Sequence, residues 1–334
     1  MPLSKELAQL KETYTDVYEQ LRKEMRWTDK KIVMMVASVY VTSDRKLDIH
    51  RYLKLCETIK KDAGMFSYLK SPLRYSVAAM LDSSFEDPFE AFNEMMKVYK
   101  SMIHYGFNRS QYTYLAAVAM IQNDPRESEY KEKVQRAVEI HQLMKKEHPF
   151  LTSHDDYPLA VLLSQREVDT ETLIVQVEHI YRSLDRNGFR KGNHLQFLSH
   201  MLSLDEAHTA DELIDRTVNA ANAIKSSDIR FKSMLYPEAG LLAFLGDEEN
   251  KVYDIKDFKK ALDQEGPFKW QNDMNVKIAV NILVSHQLQE ANNLQTGLFT
   301  TLETIMQAQQ VATLAGVTGA TAAASAGDGG GGGQ

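Results

Sequence analysis

Three short stretches of the chain hold side chains that could do chemistry. The first, "HPFLTSHDDYPLAVLL" at 148–163, places His154, Asp155 and Asp156 directly before an apolar segment. An imidazole beside carboxylates can bind a divalent metal or serve as general acid and base. The alternative is structural. An Asp at a helix start caps free backbone amides and complements the helix dipole, and Pro158 suits a first helical turn. Both interpretations stay open, although one cap does not need two acids and a histidine.

The second stretch is "GNHLQFLSHMLSL" at 192–204, where Asn193, Gln196 and His200 follow an i, i+3, i+7 spacing. That spacing puts the three polar side chains on one face of a helix, while leucines occupy another face. A polar stripe on an otherwise apolar helix needs partners or water, because buried unpaired polar groups are costly. The stripe therefore predicts either a ligand pocket or a hydrogen-bond network between helices.

The third stretch, "LYPEAGLLAFL" at 235–245, places Tyr236 and Glu238 at another helix start, where the helix dipole also favours an acid. Arg74 in "SPLRYSVAAML" is unusual, because a cation near a helix N-terminus is mildly unfavourable. Three interpretations of Arg74 are open: its side chain snorkels to solvent, it pairs with an acid such as Asp155 or Asp156 of another unit, or it binds an anion.

All of these side chains lie at or near the starts of apolar helices. In a tight helical array such starts gather at one end, which predicts one region containing His154, Asp155, Asp156, Asn193, Gln196, His200, Tyr236 and Glu238. No cofactor is predicted. If the chain binds a divalent metal, we expect His154, Asp156 and His200 to supply the ligands.

The apolar helices recur along the chain. Each has a small residue preceded by an aliphatic one, at Ala37, Ala78, Ala116, Ala160, Ser199, Ala243 and Ala279. The spacing between successive small residues is 36–44, with a mean near 40. A regular period of this length is typical of helical repeats. A small central residue lets neighbouring helices approach closely.

A second, amphipathic helix lies between most of these apolar helices. In "DTETLIVQVEHIYRSLDRN" (169–187), Leu173, Val177, Ile180 and Leu184 form one apolar stripe. The sequence "YGF" or "NGF" closes two such helices, at Gly106-Phe107 and Gly188-Phe189. A Gly followed by an apolar residue is a common helix C-terminus, so we expect these pairs to join the amphipathic helix to the next apolar helix.

These patterns predict an all-α protein of about seven helix pairs, forming an α-solenoid or a closed α/α toroid. We expect an N-terminal polar helix over 1–27, the repeat array over 28–286 and a C-terminal helix over 287–314. The Ala/Gly-rich segment 315–334 is typical of a flexible tail.

Composition narrows the functional classes. The net charge of −7 and the lack of a basic run argue against nucleic-acid binding. The single cysteine, Cys56, excludes an intramolecular disulfide and fits a buried structural thiol. The N-terminus lacks a signal-peptide core and no stretch is apolar enough to span a membrane, so we expect a cytoplasmic protein.

Common catalytic motifs such as a Walker loop, a nucleophile elbow or HExxH are absent from the sequence. Five stretches of the chain carry a resemblance to a known family: "LKSPLRY", "YTYLAA", "HPFLTSHDDYPLAVLL", "GNHLQFLSHMLSL" and "YPEAGLLAFL". Over about residues 30–285 the chain resembles a bacterial family known as domain of unknown function 4003. The resemblance implies a bacterial, cytoplasmic protein and supplies no activity, substrate or site residue. A weaker likeness, to pentatricopeptide repeats, conflicts with the longer period and the acidic charge.

Two functions from different classes are consistent with the sequence. The first is a scaffold that binds a protein partner or a second copy of itself, because repeat arrays offer extended surfaces without catalytic motifs. The alternative is an α/α-toroid enzyme, hydrolytic or metal-dependent, with its site at the starts of the apolar helices of units 4–6. Contact between the first and the last unit would distinguish a closed ring from an open array.

Overall fold

The computed structural model describes residues 3–290 except 44, 66, 124–129 and 247, together with residues 313 and 316. Within this part of the chain there are fourteen α-helices, several short 3-10 helices and no β-strand, which confirms the all-α prediction. None of the described helices is long and apolar enough to cross a membrane.

The helices alternate between two kinds. We name the amphipathic ones outer helices; they are α1 (Lys5–Glu24), α3 (Ile49–Asp62), α5 (Pro88–Tyr105), α7 (Tyr130–Glu147), α9 (Thr170–Arg186), α11 (Ala210–Ser226) and α13 (Glu248–Gln264). We name the more apolar ones inner helices; they are α2 (Lys30–Thr42), α4 (Leu73–Ser84), α6 (Gln111–Asn123), α8 (Tyr157–Leu163), α10 (Asn193–Leu202), α12 (Tyr236–Leu245) and α14 (Asn272–Glu290).

The two kinds differ in how much of their surface is buried. Every residue of α8 and nearly every residue of α12 is buried, and a proline occupies the first turn of each, where its missing N–H costs no hydrogen bond. By contrast, α9 buries the predicted stripe and leaves the opposite face in solvent, and the Asp169 carboxylate caps it by accepting the Thr172 N–H at 2.8 Å. Apolar burial on this scale, about 1.5–3 kcal/mol for each large side chain, holds the two layers together.

Each inner helix packs against the inner helices before and after it in the chain, and each outer helix packs on its own inner helix. The same packing joins the ends, because α2 contacts α14 and α1 contacts α13. The Phe268 ring lies 5.1 Å from that of Tyr14 and 4.9 Å from that of Tyr18, and the Ser285 hydroxyl donates to the Thr42 carbonyl at 2.8 Å. The first and last helix pairs are therefore in contact.

The connections between helices form two opposite rims. Seven segments lead from an outer helix to the following inner helix, and we name them the front rim: 25–29, 63–72, 106–110, 148–156, 187–192, 227–235 and 265–271. The returning segments, which we name the back rim, are 43–48, 85–87, 164–169, 203–209 and 246 in the described part of the chain. Two front-rim segments bond to the start of the inner helix after the one they lead to: Asn108 bonds to Tyr157 of α8, and Arg190 bonds to Tyr236 of α12. Two back-rim segments bond to each other through Arg166 and the Ser203 carbonyl.

The Gly–Phe pairs end two outer helices in the front rim. Gly106 and Gly188 have φ of 124° and 89°, a region that residues with a Cβ rarely adopt, so the chain can turn sharply after α5 and α9. The N–H of Phe107 bonds to the Met102 carbonyl at 2.9 Å, and both phenylalanine rings are buried. The glycine therefore turns the chain toward the next inner helix, and the buried phenylalanine ring packs the turn against the protein interior.

The predicted end segments have different outcomes. The polar N-terminal helix is α1, and it packs on α2 and α13. The inner helix α14 runs through 287 to Glu290. The remainder of the predicted C-terminal helix over 287–314 and the predicted tail over 315–334 lie outside the described residues, except for positions 313 and 316.

Candidate site at the inner-helix starts

A charged cluster joins three consecutive inner helices near the front rim. Glu238, in the first turn of α12, is 0% exposed, and its Oε1 lies 3.3 Å from the Nζ of Lys277 in α14. The Lys277 side chain is 14% exposed. His194 of α10 lies beside the pair. Its partial desolvation and the positive charge of Lys277 lower the pKa of His194, while the negative charge of Glu238 acts in the opposite direction. A neutral imidazole is thus held next to a buried ion pair.

Asn281 extends this cluster along α14. It is four residues after Lys277, so the two side chains share one face of the helix. Asn281 is buried, and neither its amide nitrogen nor its amide oxygen has a hydrogen-bond partner in the described part of the chain. A buried amide without partners is costly and needs an explanation such as a water or a bound polar group.

A second polar cluster lies inside the protein between the front-rim segment 148–156, α9 and α10. The Gln196 amide donates to the Thr152 hydroxyl at 2.7 Å, and His148 Nε2 lies 2.7 Å from Glu178 Oε1. Burial acts to raise the pKa of Glu178, but the hydrogen bond and charge of His148 lower it overall. Burial lowers the pKa of His200 to about 4, so that imidazole is neutral. This cluster is a network between helices, one of the two interpretations of the polar stripe.

Two atoms of this second cluster have no hydrogen-bond partner among the described residues: Gln196 Oε1 and His200 Nδ1. Asn193, the third residue of the predicted stripe, is exposed at the start of α10. The i, i+3, i+7 face therefore runs from solvent at Asn193 into the protein at Gln196 and His200.

The His-Asp-Asp stretch forms a 3-10 turn, His154–Asp156, ahead of α8. Asp156 accepts the Ser153 N–H at 2.9 Å, as the acid of a capping box does, and Asp155 accepts the Ser153 hydroxyl. Burial, assisted by the charge of Asp155, raises the pKa of Asp156 to about 7. His154 is exposed, with its Nε2 3.0 Å from the amide nitrogen of Asn108. These residues form hydrogen bonds within the front-rim segment 148–156 and to Asn108 of the segment 106–110.

Tyr236 has a structural environment that another helix pair repeats. Its hydroxyl accepts the Arg190 N–H at 2.9 Å, and its ring packs 4.7 Å from that of Phe189. Tyr157 does the same two pairs earlier, accepting the Asn108 N–H at 3.2 Å. Each tyrosine therefore links its inner helix to the preceding Gly–Phe joint.

Arg74 bonds to residues close to it in the chain. Its guanidinium donates to the carbonyls of Lys70 and Ser71 and to the Tyr75 hydroxyl at 2.7 Å, and it stacks 4.2 Å from the Tyr75 ring centre. Among the described residues it forms no ion pair with Asp155 or Asp156. The Arg74 Nε atom is buried and has no partner in the same part of the chain.

The predicted residues are thus divided among several environments. Glu238 belongs to the charged cluster, and Gln196 and His200 belong to the internal network. Arg74, His154, Asp155, Asp156 and Tyr236 bond to front-rim residues, and Asn193 is exposed at the start of α10. Within the described residues, no group of three His, Cys, Asp or Glu side chains could hold a metal ion, and His154, Asp156 and His200 do not converge on one.

Sequence reasoning missed Lys277 and His194. Lys277 was detectable, because it is a charged residue inside the apolar inner-helix motif "NVKIAVNIL". His194 had no comparable signal, since an exposed-looking histidine at a helix start is ordinary.

The fold is all-helical and pairs an apolar inner helix with an amphipathic outer one, and comparison with known proteins places it in a family. Residues 17–311 match the family model described as "Protein of unknown function (DUF4003)", so the chain belongs to this family. It is similar to the "Uncharacterized protein YeaA" of Bacillus subtilis (strain 168), with 33% identity over 313 residues that cover 93% of this chain and 94% of the relative. No solved structure is significantly similar to the chain.

Proposed function

We propose that the seven helix pairs form a closed α/α toroid. The packing of α14 on α2 and of α13 on α1 supports closure. So does the ion pair between Lys11 and Glu265, which lie 254 positions apart in the chain. An open solenoid would leave both ends of the inner layer without such neighbours.

We further propose that the toroid binds a small anionic molecule at the inner-helix starts. The observation that carries this is the Lys277–Glu238 pair next to His194, on three consecutive inner helices. The Lys277 ammonium would attract a carboxylate or phosphate group, Glu238 would hold that ammonium in place, and Asn281 would offer further hydrogen bonds. His194, held neutral, would be available as a general base, so this proposal includes the toroid-enzyme alternative without a metal.

The scaffold prediction ranks second. A closed ring does not present the long concave groove with which open arrays bind extended partners. A protein partner or a homo-oligomer stays a prediction, and the oligomeric state in solution tests it.

The ligand proposal is tested by thermal shift with inorganic phosphate and with a panel of mono- and dicarboxylates. We expect at least one anion to stabilise the wild-type protein, and Lys277→Met to lose that stabilisation. Lys232→Met is the matched control, because Lys232 forms a comparable ion pair with Asp273 at 2.8 Å at the protein surface. An anion that stabilises wild type and Lys277→Met equally would place its site elsewhere, and a panel with no effect would overturn the proposal.

A further inference from the structure

Large apolar side chains exposed to solvent are concentrated on the front rim. Trp27 is 94% exposed, Met65 82%, Phe150 99% and Trp270 81%, and each belongs to a different front-rim segment. Tyr68, also in the front rim, is half-exposed. The other large apolar side chains that stand exposed in the described residues, Val175 and Tyr253, lie on outer helices, and none lies on the back rim. Single exposed apolar residues are ordinary, but this one-sided distribution is not.

Trp270 is held in solvent at a conformational cost. Its φ of 72° makes it the single non-glycine residue with positive φ in the described part of the chain. The left-handed region is unfavourable for a bulky residue, and such outliers concentrate at functional positions. The Lys269 ammonium lies 5.5 Å from the centre of the Trp270 ring, so a cation accompanies the exposed indole.

The front rim is also the more basic rim. In the described residues its segments contain eight Lys or Arg against five Asp or Glu, a net charge of +3. The described back-rim segments contain three Lys or Arg against seven Asp or Glu, a net charge of −4. The rim that exposes indole and phenyl rings is thus electropositive in a chain of net charge −7.

A cavity on the front rim has the same chemistry. It has a volume of about 580 Å³ and lies between the segment 63–72 and the C-terminal half of α5. Lys100, His104 and Arg109 line it together with Tyr68 and Tyr99, and none of the described lining residues carries a carboxylate. The cavity therefore suits an anionic group next to an apolar one.

We propose that the front rim docks on the surface of an anionic lipid bilayer. Aromatic side chains that insert at the headgroup level, surrounded by basic residues that attract anionic lipids, are the usual means by which a protein binds a bilayer surface without spanning it. The insertion points are on the first, second, fourth and seventh front-rim segments. Insertion points spread over four segments of one rim fit a broad surface better than a peptide bound in a single groove.

Tryptophan fluorescence tests this directly. The chain contains two tryptophans, Trp27 and Trp270, and both are on the front rim, so the emission reports only on this surface. We expect vesicles of phosphatidylcholine with phosphatidylglycerol to shift the emission to shorter wavelength and to co-sediment the protein. Vesicles of pure phosphatidylcholine should do neither, and added salt should weaken binding.

Variants that keep both tryptophans separate docking from other effects. Met65→Ser and Phe150→Ser together should weaken vesicle binding by about tenfold, because two inserting side chains are lost. Their melting temperature should stay unchanged, since both side chains stand in solvent. Tyr253→Ser, which removes an exposed ring from α13, is the matched control and should bind as the wild type does.

Three results would overturn the proposal. The first is no binding to anionic vesicles. The second is binding without a change in emission, which would place the contact elsewhere on the chain. The third is a blue shift that grows with protein concentration without vesicles and accompanies a dimer in light scattering. That result would make the front rim an interface between copies of this chain.

Discussion

At the scale of single residues, the most informative group is Asp156, whose burial next to Asp155 raises its pKa to about 7. A carboxyl group whose pKa is higher in the folded state favours folding at low pH, and this contribution is lost as the pH rises through the folded pKa. Asp156→Asn keeps an oxygen that can accept the Ser153 N–H but cannot ionise. We therefore expect the variant to gain stability relative to wild type between pH 5 and pH 8, by about 1–3 kcal/mol.

The measurement is urea denaturation of both proteins across that pH range. Asp16→Asn is the control, because Asp16 is exposed on α1, away from Asp156, and should contribute little. If the difference between wild type and Asp156→Asn is the same at pH 5 and pH 8, the carboxylate of Asp156 is ionised throughout and the environment described for it is wrong.

The Lys277–Glu238 pair gives a second prediction at this scale. Removing one partner of a buried pair leaves the other charge uncompensated, so Lys277→Met should destabilise the protein by about 3 kcal/mol. The double variant Lys277→Met/Glu238→Gln removes both charges and should recover most of that loss. Chemical denaturation of the two single variants and the double variant measures the coupling. Additive single effects would contradict a buried pair.

At the scale of helices, Gly240 of α12 lies where this helix packs tightly against α10. A Cβ atom at this position would lie 2.6 Å from Leu198 Cδ1 and would also collide with the Met201 methyl group, both of α10. Gly240→Ala should therefore lower the free energy of unfolding by about 1–3 kcal/mol through overpacking. The loss should not be larger, because both obstructing atoms lie at the ends of flexible side chains.

Gly266→Ala is the matched control, since no atom lies within 4 Å of its added Cβ. Thermal denaturation of the two variants should show a lower melting temperature for Gly240→Ala alone. Equal melting temperatures would mean that α10 and α12 have room to move apart.

The helices and their joints were predictable because their signals are local. The stripe of α9, the Gly–Phe joints and the first-turn prolines of α8 and α12 are each read within one helical turn or two. The repeat pattern points to Ala243 as a point of close approach, and it does not single out Gly240, where an added Cβ would collide with side chains of α10. Which side of an inner helix meets its neighbour depends on the rotation of the helix, which a period of about 40 residues does not specify.

The candidate site was predictable only in part, for a related reason. Glu238 was identified from its position at a helix start, but its partner Lys277 lies 39 residues later, and no local pattern connects them. Likewise, Gln196 and His200 lie four residues apart on α10, and both are buried. Gln196 finds its partner in Thr152, 44 positions earlier in the chain. The spacing of residues within α10 cannot predict such a distant partner, so it cannot tell a hydrogen-bond network from a ligand pocket.

At the scale of the whole molecule, closure of the proposed toroid makes the first and last helix pairs dependent on each other. Phe268 is fully buried against Tyr14 and Tyr18, so Phe268→Ala should destabilise the protein by about 3–5 kcal/mol. Phe92→Ala serves as the comparison, because it removes a buried phenyl ring from α5, away from the contact between the first and last helix pairs. Hydrogen exchange of both variants, read helix by helix, separates the two architectures.

In a closed ring, loss of the Phe268 side chain should raise exchange in α1 and α2 as well as in α13 and α14, because it opens the contact between the two ends. Phe92→Ala should instead raise exchange most in α5 and its neighbours, with α1 retaining more of its protection at a similar total destabilisation. If Phe268→Ala affected only α13 and α14, the contact between the ends would contribute no stability. The molecule would then behave as an open array, in which each pair depends only on its neighbours in sequence.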